Sequence, residues 1–226
     1  MNYHISTSLI LREFPKRDCE CPLCEIRATV ENNVVEQYLN EAVMAKTARQ
    51  GVNEKGFCDR HFDMLFAGQS KLGLALQCVT RMNVLKENLD APSNVKSAQK
   101  RAKKVLSSIQ TCVICDTVED HMQRYYKTVA EMYYAEEDFR ELLDYTKGFC
   151  LKDYAQLLLN AKYAGLRANE YVKVLAEKEK ENFERVQNDL QTFCDSHDFR
   201  TAGRDLGTAK DSLKRTRIKI YGKGDK

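Results

Sequence analysis

Cys21-Pro22-Leu23-Cys24, followed by Lys55-Gly56-Phe57-Cys58-Asp59-Arg60-His61, is the stretch that decides how this chain is read, because it occurs twice. The second copy is Cys112-Val113-Ile114-Cys115 followed by Lys147-Gly148-Phe149-Cys150-Leu151-Lys152-Asp153, at an offset of 91 to 92 residues. A Cys-x-x-Cys turn aims two sulfurs to the same side, and Pro22 stiffens the first of these turns. A helix starting at Cys58 brings His61 one turn on, along the edge of the Cys58 sulfur. Three thiolates and an imidazole make a tetrahedral structural zinc shell with no open position for catalysis.

Taken in chain order, the spacing predicts Cys21, Cys24, Cys58 and His61 as one shell. Cys112, Cys115, Cys150 and Asp153 form the second, with a carboxylate where the first has imidazole. The fourth ligand of the second shell stays open between Asp153, His197 and His121. Cys19 is an alternative to Cys21, although Cys-x-x-Cys is the usual chelating interval. Cys78 reads as core. Cys194 and His197 read as a buried thiol and a surface imidazole at a helix end.

Working outward, 226 residues with 3 prolines, 10 glycines and abundant Lys, Glu, Ala and Leu favour helix. The expected fold is all-α: two related helical halves, each with a Cys-rich zinc knuckle clamping a long helix. The halves span residues 1–90 and 111–197. A basic linker or connecting helix fills 91–110, and 198–226 form a basic tail.

Val30, Val34, Tyr38 and Ala42 mark a helix over 25–50, ended at Gly51-Val52-Asn53. From Cys58, Phe62, Leu65, Leu72, Leu76, Val79 and Met82 continue one apolar face to Leu89. Asp90-Ala91-Pro92-Ser93-Asn94 stops that helix. Helices follow over 116–135 and Glu137–Tyr145, from Cys150, and from Ala168 to Phe193. Val172, Leu175, Phe183, Val186 and Leu190 give the last a buried stripe. Tyr125, Tyr126, Tyr133 and Tyr134 read as core aromatics.

Composition narrows the function classes. A net charge of +3 identifies no nucleic-acid or membrane partner by itself. No apolar run is long enough to cross a membrane, and Met1–Pro15 lacks the pattern of a signal peptide, so a cytoplasmic location is expected. Nine cysteines there read as metal ligands or redox thiols rather than disulfides. Nucleotide-binding, nucleophile-elbow and His-Glu-x-x-His motifs are missing from the sequence.

The expected function is therefore a non-enzymatic, zinc-stabilised protein that binds a protein partner. Two alternatives stand beside it. One is a thiol redox sensor or oxidoreductase using the Cys-x-x-Cys pairs. The other is weak nucleic-acid binding through the tail and the linker lysines Lys96, Lys100, Lys103 and Lys104 with Arg101.

The two knuckles, the two Gly-Phe-Cys segments and Asp198-Phe199-Arg200 together resemble a bacterial family of uncharacterised proteins, a domain of unknown function. The resemblance covers nearly the whole chain. It implies His where this chain has Asp153, and it implies no established activity.

Overall fold

The computed structural model describes residues 5–40, 43–197 and 206–223, with side chains from Thr7 onward. Ala42 of the first apolar stripe, and Asp198-Phe199-Arg200 of the tail, lie outside the described residues. The described chain contains eleven α-helices and no strand. They are α1 (Ile5–Glu13), α2 (Pro22–Leu39), α3 (Lys46–Lys55), α4 (Asp59–Ala67), α5 (Lys71–Lys86), α6 (Val95–Ile109), α7 (Val113–Ala135), α8 (Glu137–Asp144), α9 (Leu151–Leu159), α10 (Ala168–Asp195) and α11 (Ser212–Tyr221). Short 3-10 helices at Ala161–Arg167 and Gly207–Asp211 lead into α10 and α11.

The helices form two compact units that interleave along the sequence. One comprises Met1–Ala28 with Met122–Asp225, the other Thr29–His121. Both knuckles open long helices, α2 and α7, and each of these begins in one unit's sequence range and finishes in the other's. At 1.5 Å per residue they are about 27 and 35 Å long.

In the Thr29–His121 unit the helices are shorter than their apolar pattern suggests. The single helix expected over 25–50 is two, since α2 ends at Leu39 and α3 begins at Lys46, and the break expected at Gly51 lies inside α3, which carries the buried Val52 and ends at Lys55 before Gly56. The long helix expected from Cys58 to Leu89 is two helices, divided at Gly68–Ser70. Its expected apolar face is divided as well. Leu65, Leu74 and Gln77 are buried, whereas Leu72, Leu76, Val79 and Met82 are exposed. Gln77 turns inward because its amide donates to the Tyr38 carbonyl oxygen at 2.8 Å.

Asn94 starts α6 with a reciprocal cap. Its side chain accepts from the Ser97 N–H at 2.9 Å, and the Ser97 hydroxyl oxygen accepts from the Asn94 N–H at 3.1 Å. No residue of α6 is buried.

In the other unit the core gathers around aromatics. Phe14 of the α1 C-terminal turn lies 5.4 Å from Phe139 of α8 and 6.0 Å from Phe149, ring centre to ring centre. Tyr133 of α7 packs 4.9 Å from Tyr171 of α10. Tyr125, Tyr126 and Tyr133 are buried as expected, and Tyr134 is exposed. On α10 the buried stripe is Tyr171, Leu175, Glu179, Asn182 and Val186, while Val172 and Phe183 lie at the surface. Glu179 holds a core position because it supports the backbone just before Cys150, and Asn182 one because its amide donates to the Lys178 carbonyl oxygen, neither of which hydrophobic periodicity can reveal.

Candidate metal centres

Cys58 and Cys150 occupy the same local geometry. Each precedes a helix with extended backbone, at φ −73° and ψ 165° for Cys58 and φ −79° and ψ 158° for Cys150. The helix that follows places residue i+3, His61 or Asp153, back beside the sulfur. The glycine two positions before each cysteine makes the turn possible. Gly56 has φ 68° and Gly148 has φ 76°, a region that disfavours side chains with a Cβ.

Each turn is also held from outside. In the Thr29–His121 unit, Arg81 of α5 donates to the carbonyl oxygens of Asn53 at 2.6 Å and Ser108 at 2.7 Å. The Val113 N–H donates to the Gly56 carbonyl oxygen at 3.0 Å, tying the second knuckle to the first Gly-Phe-Cys turn. In the other unit the Phe149 N–H donates to Glu179 Oε2 at 2.8 Å. Buried Lys219 of α11 donates to the carbonyl oxygens of Lys147 and Phe149.

All eight expected ligands fall into two groups of four, with the ligand atoms of each group within 4.8 Å of one another. The partners are exchanged relative to chain order. Cys58 and His61 meet Cys112 and Cys115, whereas Cys21 and Cys24 meet Cys150 and Asp153. The pairing read from sequence, Cys21 and Cys24 with Cys58 and His61, is thereby corrected. Each knuckle is the first turn of a long helix, and its sulfurs are met, within one unit, by the Gly-Phe-Cys segment of the other copy.

In the first centre, His61 Nδ1 lies 3.2 Å from Cys58 Sγ and 3.3 Å from both Cys112 Sγ and Cys115 Sγ. Cys58 Sγ and Cys115 Sγ are 3.8 Å apart. Metal–sulfur bonds of about 2.3 Å in a tetrahedron put neighbouring sulfurs about 3.7 Å apart, so this spacing suits a four-coordinate ion. His61 Nε2 faces Glu31 Oε1 at 2.8 Å, and Arg60 pairs with the other oxygen of Glu31. With Nε2 carrying the proton to Glu31, Nδ1 is the free lone pair aimed at the sulfurs.

In the second centre, Asp153 Oδ2 lies 3.3 Å from Cys21 Sγ, 3.5 Å from Cys24 Sγ and 3.2 Å from Cys150 Sγ. Cys24 and Cys150 sulfurs are 3.7 Å apart. Asp153 Oδ1 accepts from the Tyr126 hydroxyl at 2.6 Å and faces Arg27 at 3.5 Å, which fixes the carboxylate with Oδ2 toward the sulfurs. The Lys223 N–H donates to Cys24 Sγ at 3.3 Å. All four ligands are buried, whereas in the first centre Cys115 is exposed.

The titrating groups of each centre shift one another. Burial works against the imidazolium, yet hydrogen bonds to Cys112 and Glu31 carry His61 up to about 10. Against the same burial cost, His61 draws Cys112 down to about 6. Cys150 is held far below the thiol range by hydrogen bonds from Cys21 and Cys24, while burial pushes Cys21 up. Burial and the neighbouring Cys150 charge raise Asp153. Cys112 in the first centre and Cys150 in the second are pushed toward the thiolate, whereas Cys115, Cys21 and Cys24 are pushed toward the thiol. A divalent cation would replace the protons of those thiols.

The other candidates stand apart from these groups. His121 and His197 are not members of either set, and Cys19 lies beside the second centre without joining it. Cys194 is exposed rather than buried, and Cys78 is half-buried. Sequence reasoning missed Glu31, Arg27, Glu179 and Lys219, and read Tyr126 as a core aromatic without its bond to Asp153. Their types carry no motif, and only tertiary placement gives them their role. No helix among the described residues is long and apolar enough to cross a membrane.

Comparison with curated proteins and with solved structures gives no significant match. The model of the family described as "Family of unknown function (DUF6062)" matches residues 1–226, and the chain belongs to that family.

Proposed function

We propose that this is a non-enzymatic protein whose two helical units are each held together by a zinc ion, and that it acts by presenting helical surfaces to a protein partner. The observation that carries the reading is the convergence of three sulfurs and a fourth ligand in each unit. Four protein ligands fill a tetrahedral shell, which supports a structural role over a catalytic one. Thiolate-rich sets favour zinc among the common cellular cations. Each centre joins segments far apart in sequence, so the ion's binding free energy would count directly as folding free energy. Thermal unfolding with and without a strong chelator tests this. Loss of the cooperative transition on chelation, and its return on adding zinc, is expected. An unchanged transition would remove the structural role.

A second reading rests on the exposure of Cys115 and its 3.8 Å approach to Cys58. A peroxide could oxidise these two thiolates to a disulfide, being reduced to water as zinc leaves the first centre. Zinc release by peroxide from the first centre and not from the buried second one would favour a redox-sensing role.

A further inference from the structure

The second centre is covered by a segment that no spacing in the sequence assigns to it. Helix α11 ends at Tyr221, where the Gly222 N–H donates to the Ile218 carbonyl oxygen at 2.8 Å. Gly222 then turns the chain with φ 83° and ψ 176°, a conformation that side chains with a Cβ disfavour. The turn brings Gly222 onto the sulfurs, since a Cβ placed there would lie 3.4 Å from Cys24 Sγ and 3.5 Å from Cys150 Sγ. Lys223 follows. Its backbone N–H donates to Cys24 Sγ at 3.3 Å, and its ammonium donates to the two oxygens of Glu25 at 2.7 and 2.9 Å. Both bonds fasten the segment beside one ligand, across 199 residues of sequence.

Helix α11 and the segment after it are held differently. Buried Lys219 bonds the carbonyl oxygens of Lys147 and Phe149, and Arg215 pairs with Asp189 and Asp211 at 2.7 Å each. Lys223 and Glu25 meet nearer the surface, at 44 % and 30 % side-chain exposure, where an ion pair holds weakly. The segment can therefore lift about Gly222 while α11 stays in place. A cavity of about 720 Å³ already reaches Cys21 and Cys24, and Lys223 forms part of its wall. Lifting Lys223 opens that cavity onto the sulfurs.

We propose that Gly222 and Lys223 form a strap over the second centre, which shields the Cys24 and Cys150 sulfurs and sets how fast the ion there exchanges. The N–H bond draws electron density from the Cys24 sulfur, which slows its protonation and its attack on electrophiles. A competing ligand must also wait for the strap to lift. Cys115 of the first centre is exposed, so that centre exchanges readily and the second retains its ion. The control of exchange rests on the zinc reading. The strap's contacts are to sulfur itself, so thiol reactivity reports them with or without an ion.

The test is pulsed alkylation of the full chain with N-ethylmaleimide, read cysteine by cysteine through peptide mapping, with zinc content measured on the same samples. In the wild type, Cys58 and Cys115 should react before Cys24 and Cys150. Lys223→Ala keeps the N–H and loses the ion pair, and should speed Cys24 and Cys150 about twofold. Lys223→Pro loses both. It should speed them at least about tenfold, the worth of a hydrogen bond to a charged sulfur, and leave Cys58 and Cys115 unchanged. Zinc transfer from the second centre to a chromophoric chelator should accelerate alongside.

Cys24 reacting at the wild-type rate in Lys223→Pro would overturn the inference. So would equal acceleration at all four cysteines, which marks general loosening of the chain. A chain that purifies without zinc and still shows the Lys223→Pro effect at Cys24 and Cys150 alone would count against the zinc reading and for the strap.

Discussion

Nδ1 of His61 lies 3.3 Å from Sγ of Cys112, across 51 residues of sequence. The Cys-x-x-His of the first copy is thus completed by the Cys-x-x-Cys of the second. This crossing makes each centre a clasp between distant segments. Substituting either partner should remove the same ion. Cys58→Ser and Cys112→Ser should therefore be strongly non-additive in stability, while Cys58→Ser and Cys150→Ser should add. Denaturant unfolding of the single and double variants checks this. Additivity of Cys58→Ser with Cys112→Ser would separate them into different centres.

Glu31 is buried and accepts from the side of His61 that faces away from the sulfurs. Its carboxyl is held below 4.5, because bonds to His61 and the Arg60 charge outweigh burial. It therefore stays ionised and fixes the ring with Nδ1 toward the ion. Glu31→Gln should weaken zinc at the first centre by about 10- to 100-fold, the usual cost of losing a carboxylate behind a ligating histidine. Competition with a chromophoric chelator measures it, and the second centre should not change.

Loading of the first centre should depend steeply on pH. Without metal, His61 sits near 10, so the ring is doubly protonated at neutral pH and must release a proton to ligate. Cys115, whose thiol is pushed up by burial and the nearby Cys112, must release one as well, so zinc affinity should rise by at least about 10,000-fold between pH 6 and pH 8.

The metal-free chain follows the opposite logic. The raised His61 value contributes stability that is full below 6.5 and is lost as the pH rises through about 10. The lowered Cys112 value contributes stability that is full above 9.0 and is lost as the pH falls through about 6. The imidazolium–thiolate pair therefore stands between those two limits. Stability of chelated protein should show this window, and Cys112→Ser should remove its acid limb while Glu31 keeps part of the His61 limb.

Gly148 has φ 76°, and a Cβ there would lie 2.7 Å from Glu179 Oε2 and 3.1 Å from Lys219 Nζ. Gly148→Ala therefore combines backbone strain with displacement of the two groups that hold the turn before Cys150. A loss of about 1–2 kcal/mol from the backbone alone is expected, with more from the displaced pair. Equilibrium unfolding of metal-loaded protein measures it.

The helical class and the eight side chains that gather into the two groups were legible in the sequence, because Cys-x-x-Cys, Gly-Phe-Cys and the following helix impose local geometry wherever they occur. The pairing was not. With two near-identical copies, either exchange of partners satisfies the same spacings, and only tertiary packing within each unit chooses between them. The position of Glu179 on a buried stripe was equally hidden, since its role is to accept one backbone N–H. The apolar pattern of α5 was visible, but not that Gln77 would turn its other side inward and leave Leu72, Leu76, Val79 and Met82 outside.

Elemental analysis of the full chain, purified without chelator, tests the central claim most directly. The account predicts two zinc ions per chain, falling to one in Cys112→Ser and to one in Cys150→Ser. Metal-free wild-type protein that keeps its fold would contradict it.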